Sequence, residues 1–203
     1  MWRSLLVVLV AFLSASAAQA EQSPREYTET LLGNFKKLKP EKGSTPAEKA
    51  ENKKIIDQLD ASFDFEGITT KLMAPRVDKF TAAQKAEFRT KFHELVRAGA
   101  FVDSGSFFKK AKLEFLPVKA STDGATTVPV HVTVPGEDTD MTVALQWKKD
   151  GANLKVVDVL IDGDSLVKDY QNQVARIVDK KGVAGVLQAL DERKASADRA
   201  KAK

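Results

Sequence analysis

Between Leu113 and Ile161 the apolar residues recur at every second position, whereas on either side they recur every third or fourth. Side chains alternate faces along a strand but return to one face of a helix every 3.6 residues. The change of period therefore divides the chain into helices, then a sheet, then helices again, which is an α+β order. The first strand carries Leu113 and Phe115 against Lys112 and Glu114. A turn at Thr122-Asp123-Gly124 leads to Val128, Val130, Val132 and Val134, and Pro135-Gly136-Glu137-Asp138 leads to Met141, Val143, Leu145 and Trp147. Asp150-Gly151 then turns into Asn153 to Asp162, with Val156, Val157, Val159 and Ile161. Four strands joined by short glycine-containing turns predict an antiparallel meander. The alternation gives the two middle strands one apolar face each. Pro129 has no N–H to donate, so an edge or a bulge is expected there. The β-branched run at Val156 to Ile161 predicts the most buried strand, which hands the chain to a helix behind Asp164-Ser165.

The helical flanks carry start and stop signals. Ser23-Pro24 opens a helix with Tyr27, Leu31, Phe35 and Leu38 on one stripe, proline being tolerated in a first turn. Thr45-Pro46-Ala47-Glu48 and Thr81-Ala82-Ala83-Gln84 are capping boxes. The first precedes Ile55, Ile56 and Leu59; the second precedes Phe88, Phe92, Leu95 and Val96. Between them a short helix around Phe65, Ile68 and Leu72 is expected to stop before Pro75. Gly99 and Gly105 bracket Phe101, and Phe107-Phe108 follow, an aromatic density beyond the needs of one stripe. After Ser165, Leu166, Val167, Tyr170, Val174, Ile177 and Val178 form a helical stripe that Lys180-Lys181-Gly182 should end. Val183, Val186, Leu187 and Leu190 make a last short helix. Residues 193–203 hold no core residue larger than alanine and are expected to form a disordered polar tail.

Residues 1–20 read as a leader rather than as fold. Arg3 is followed by the apolar run Leu5 to Leu13 and by Ala18-Gln19-Ala20, a small-x-small cleavage site. The run is shorter than the ~20 residues of a spanning helix. The expectation is export with cleavage before Glu21, and a single domain over 21–192. The chain has no cysteine, which excludes disulfides, thiolate chemistry and lipid anchoring at a leader cysteine. The formal charge is +4, with 32 basic and 28 acidic residues interspersed; no basic cluster with interleaved aromatics points to nucleic acid.

Catalytic and metal signals are weak. His93 lies off the main stripe of its helix and His131 on the polar face of its strand, with no third group at ligand spacing, so no metal is expected. Asp158, Asp162 and Asp164 do not follow a calcium-loop pattern; a turn at Asp162-Gly163 and capping by Asp164 or Ser165 account for them. Ser165 lacks a neighbouring base and a G-x-S-x-G elbow. No cofactor is implied. A curved antiparallel sheet with helices on its concave face forms a cone of the NTF2-like kind, with a cleft between the layers. The residues alone leave two readings of the aromatic and aliphatic stripes, an ordinary core or an apolar ligand cavity. An isomerase-like enzyme on this scaffold would need an inward carboxylate facing a donor such as tyrosine, and only Tyr27 and Tyr170 are present. A chaperone-like module would need no cavity.

Three stretches carry a resemblance to a known family. One is Phe63-Asp64-Phe65-Glu66-Gly67-Ile68 running into Lys71-Leu72, then the Gln84/Phe88/Phe92/Leu95 helix. Another is Gly151 to Ser165, similar to a G-x-W-K-V-x-D-V-x-I-D-G-x-S-L signature. The third is the helix with Tyr170, then Lys180-Lys181-Gly182-Val183. Together they resemble the MlaC-type periplasmic phospholipid-binding proteins, the toluene-tolerance family, over most of residues 24–192. Leu154 stands at the signature's tryptophan, Asp164 at an often apolar position, and Arg97-Ala98-Gly99-Ala100-Phe101 in place of a Thr-Tyr-Ala. The resemblance implies a soluble carrier, not an enzyme, that holds glycerophospholipid acyl chains between sheet and helices. It implies exchange with an outer-membrane lipoprotein–porin complex and with an inner-membrane ABC transporter bearing an MCE ring. Under it, Phe88, Phe92, Leu95, Phe101, Leu145, Trp147, Val157 and Val159 are the expected cavity lining.

Overall fold

The computed structural model describes residues 22–40, 43–121, 123–151 and 153–202. The expected leader lies outside the described residues. The helical first half comprises α1 (Pro24–Lys37), α2 (Pro46–Ala61), α3 (Phe65–Met73), a 3₁₀ turn at Ala74–Lys79, α4 (Ala82–Leu95) and α5 (Phe101–Lys110). The sheet follows as β1 (Lys112–Phe115), β2 (Lys119–Ala120), β3 (Thr126–Thr133), β4 (Asp140–Asp150), β5 (Asn153–Ile161) and β6 (Asp164–Ser165). The last element, α6 (Leu166–Ala202), is interrupted at Gly182.

The helices start where their side chains satisfy the free N–H groups of a first turn. Ser23, Thr45 and Thr81 each accept from the backbone three residues on, and Glu26, Glu48 and Gln84 reach back to complete capping boxes. At α3 the cap is Asp64, whose carboxylate accepts from Gly67 N–H at 2.8 Å. A Cβ on Gly67 would stand 2.1 Å from that carboxylate, so the glycine in Phe63-Asp64-Phe65-Glu66-Gly67 makes room for the cap. One residue earlier the segment joins the sheet: Asp64 N–H donates to Val156 O at 2.9 Å and Val156 N–H to Ser62 O at 2.8 Å.

The sheet is open, curved and antiparallel, in the order β1-β3-β4-β5-β6, with β2 pairing the same edge of β3 as β1. The four expected strands are present, together with two two-residue strands. β5 is not the innermost strand, as its apolar run suggested. β3 and β4 hold the centre, and β5 borders only β4, the bridge at Phe63 and the short β6. Its β-branched residues reflect packing against helices instead. Pro129 is likewise interior, opposite Ala144. It is tolerated because its free side faces the gap between β1 and β2, where its carbonyl accepts from Leu116 at 3.0 Å.

Two further features lie in helices, the second a departure from expectation. Residues 101–110, between and beyond two glycines, continue the α4 rod through a π turn at Val96–Ala100. Gly105 is there because a Cβ would meet Leu38 at 3.0 Å and Phe35 O at 3.1 Å, where α5 passes close to the end of α1. Residues 193–202, expected as a polar tail, are helical. Alanine, lysine and arginine are strong helix formers, Lys194 and Asp198 pair at i,i+4, and Ala197 packs 3.6 Å from the Cβ direction of Gly99.

The buried side chains form two clusters rather than one. The first joins the sheet to α1, α2 and α5 through residues such as Leu31, Phe35, Leu59, Phe101, Val130, Leu145 and Val156. The second joins α3, α4 and α6 through Leu72, Phe88, Phe92, Val174, Val186 and Leu190. Phe63, Phe65 and Val96 pack against both. A domain of this size ordinarily has one contiguous core, so the seam between the clusters is where a functional space is to be sought.

Candidate functional site

At that seam lies a cavity of about 690 Å³, within the range of natural ligand sites. Its walls come from both clusters: Phe35, Phe101 and Val143 on one side, Ile68, Phe88 and Leu190 on the other. Its non-aliphatic, non-aromatic lining is restricted to a few groups, among them Asp103, Ser104, Asp158, Gln173 and Arg193. Tyr170 also lines it, packing edge-on against Phe92 with ring centroids 6.2 Å apart. Asp103, Tyr170 and Arg193 are exposed and mark where the cavity reaches the surface.

Of the expected lining, Phe88, Phe92, Leu95, Phe101, Leu145 and Val159 border the cavity, and Trp147 and Val157 do not. Trp147 is 1% exposed and is covered by α1. Its indole N–H donates to Thr28 Oγ1 at 2.8 Å, and its ring lies 5.6 Å from that of Tyr27. Val157 is displaced by a β-bulge. Leu145 pairs with Val159 and Gln146 with Asp158, but Trp147 pairs with Val156. One extra residue in β5 inverts the alternation beyond that point, so Val156 takes the inward position. Val156, the α1, α3 and α6 walls and the α5 residues beyond Phe101 were not anticipated. The only sequence signal for them was the excess of aromatic residues at Phe63, Phe65, Phe101, Phe107 and Phe108.

Asp158 is a buried carboxylate on the cavity wall, but its lone pairs are engaged. It accepts from its neighbour Val159 N–H at 2.8 Å, from the Ser165 hydroxyl at 2.5 Å and from Val167 N–H at 3.1 Å. Ser165 in turn accepts from Lys168 N–H at 3.0 Å. The Asp158…Asp162-Gly163-Asp164-Ser165 stretch thus joins β5 to the first turn of α6, where a negative charge is favoured. Asp162, at φ 50°, ties the turn to β4 by accepting from Thr142 N–H at 2.8 Å. Among the described residues no cluster of histidine and carboxylates could hold a metal.

The wall between α2 and α4 is braced by charge. His93 bonds Asp60 and packs against Phe65, with centroids 4.4 Å apart and the rings tilted by 44°. Arg97 pairs with Asp57 at 2.5 Å and Asp60 at 3.1 Å. Burial works against the Arg97 charge, but its bonds to the two aspartates raise its pKa overall. Hydrogen bonds from Lys53 and Arg97 hold Asp57 below its ordinary value. On the other wall, Lys91 bonds Asp191 at 2.5 Å and Arg76 bonds Asp179 at 2.6 Å, tying α4 and the 3₁₀ turn to α6.

Among solved structures, the chain is similar to a phospholipid-binding protein from Ralstonia solanacearum in complex with a phospholipid. The TM-score is 0.67 at 23% identity, over 86% of this chain and 96% of that one. At that identity the likeness shows a shared fold. No curated protein is significantly similar to the chain in sequence. A family model described as MlaC protein matches residues 25–192, a span that holds both core clusters and nearly all of the cavity wall. The chain therefore belongs to the MlaC family.

Proposed function

We propose that this protein is a periplasmic phospholipid carrier that holds acyl chains in the cavity between its sheet and helices. The observation that carries this reading is the division of the buried apolar residues into two clusters by an apolar space of about 690 Å³. Leaving such a space empty costs stability, and filling it with hydrocarbon returns roughly 0.8 kcal/mol per buried CH₂. Family membership and the phospholipid held by the structural neighbour support the same ligand class. A catalytic role has less support, since the carboxylate buried on the wall, Asp158, is occupied as a structural acceptor.

A bilayer offers acyl chains the same apolar environment as the cavity, so transfer between the two is nearly balanced. Direction must come from partners. In this reading the partners are an outer-membrane lipoprotein–porin complex and an inner-membrane ABC transporter with an MCE ring, reached by a leader-exported shuttle.

The test is native mass spectrometry with lipid extraction on protein secreted by a Gram-negative host and purified without detergent. Stoichiometric phospholipid is expected. Phe92→Asp places a charge among Phe88, Tyr170 and the α6 wall and should abolish retention. Lipid-free wild type that stays empty after incubation with phospholipid vesicles would overturn the reading.

A further inference from the structure

Among the described residues, Arg193 is the one basic residue in the cavity wall, against the acidic Asp103 and Asp158. It lies one position beyond the 25–192 stretch that the family model matches, on helical turns of α6 that continue past the last large core residue, Leu190. Those turns are seated by Ala197 against Gly99 and by Asp191 on Lys91. Arg76 and Arg97 are committed to carboxylates. Among the described residues Arg193 has no carboxylate partner, and its Nη2 donates to Gln173 Oε1 at 3.4 Å.

We propose that Arg193, oriented by Gln173 at the exposed rim of the cavity, binds the phosphate of the carried lipid. The proposal rests on the carrier reading. A guanidinium presents paired N–H donors that match phosphate oxygens, and it forms charge-assisted bonds stronger than neutral ones. The rim position suits this role. The aliphatic stem covers apolar wall while the charge stays in water when no lipid is bound. Gln173 takes one donor and leaves the remaining N–H groups free. Asp158 on the wall and Asp103 at the rim carry the opposite charge, so an anion is favoured at Arg193 over either of them. A lipid lying with its chains between the two clusters thus has a single cationic end at which to place its phosphodiester.

Protein secreted by a Gram-negative host and stripped of lipid is incubated with vesicles holding dioleoylphosphatidylethanolamine and dioleoylglycerol in equal amounts. It is then re-isolated and its bound lipid quantified by mass spectrometry. The two lipids share their chains and differ in the phosphate-bearing headgroup. Wild type is expected to favour the phospholipid. Arg193→Gln should lower that preference about tenfold, the loss of one charge-assisted bond, and Arg193→Lys should retain most of it. Gln173→Ala should lower it less, in the same direction. The side chain of Arg193 is exposed, so the substitutions leave the fold in place, which circular dichroism checks. Full lipid uptake by Arg193→Gln at the wild-type ratio would overturn the assignment and leave the carrier reading standing. Failure of wild type to take up either lipid would overturn the carrier reading itself. Saturable binding of inorganic phosphate alone, lost in Arg193→Gln and unaccompanied by any lipid preference, would replace the proposal with a small-anion site.

Discussion

Leu145 and Trp147 lie two positions apart on one strand, yet one borders the cavity and the other is sealed under α1. The difference comes from what covers each residue. Beyond Leu145 the first helix closes onto the sheet, and the indole N–H finds Thr28, whose hydroxyl also donates to Pro24 O at 2.8 Å. Trp147→Phe removes a fully buried donor and leaves Thr28 Oγ1 without it. The expected cost is about 1–3 kcal/mol, read by urea unfolding. Lipid content should stay at the wild-type level, in contrast to Phe92→Asp, because residue 147 does not touch the ligand space. A loss of lipid at unchanged stability would show that the α1 side of the sheet also belongs to the cavity. Val157 teaches the same lesson from the other strand, where one bulged residue moves the inward role to Val156.

At the scale of elements, α6 does the closing, and Gly182 decides its course. Its φ of 70° and ψ of −179° belong to a region essentially reserved for glycine. A Cβ there would meet nothing within 4 Å, so any penalty for a side chain is one of backbone strain. Gly182→Ala should destabilise the fold by about 1–3 kcal/mol, measured by urea or thermal unfolding. It should also release lipid, since a helix continuing straight past residue 182 would carry Val186 and Leu190 off Phe88 and Phe92. Unchanged stability would mean that the break can form without a left-handed residue. The rod from Ala82 to Lys110 is the complementary case. It stays helical through both glycines: Gly105 makes room for the close approach of α1, whereas a methyl at Gly99 would only touch Ala197.

For the molecule as a whole, acid is the expected weak point. Glu26 and Glu48 are held below their ordinary value of 4.5 by the backbone and hydroxyl bonds of their capping boxes. Asp179 is held below 3.8 by its bonds from Arg76, and Asp57 likewise by Lys53 and Arg97. A depressed carboxylate stabilises the fold above its unfolded pKa and loses that contribution as pH falls through the folded one. Tm should therefore hold down to about pH 5 and decline below the ordinary values just given. The raised pKa values of Lys91, Arg76 and Arg97 work in the opposite direction and matter only in strong alkali. Glu26→Gln with Glu48→Gln keeps the caps neutral and should flatten the acid limb in a thermal scan across pH. An identical limb in that double variant would place the acid sensitivity in the ion pairs instead.

What the chain determines by itself is local. The change of period, the capping boxes at Thr45 and Thr81, the Asp162-Gly163 turn and the stop at Gly182 act through bonds spanning three or four residues, and each can be read from its own neighbourhood. The inward face of β4 is legible for the same reason. What only the tertiary structure decided is which inward residues meet a space and which meet another element. Trp147 is covered by a helix 119 positions away, the bulge at Val157 arises from pairing with β4, and residues 193–202 acquire a role only where Ala197 meets Gly99 and Arg193 reaches the rim. A cavity is the place where two surfaces fail to meet, and no single stretch of sequence holds both of them.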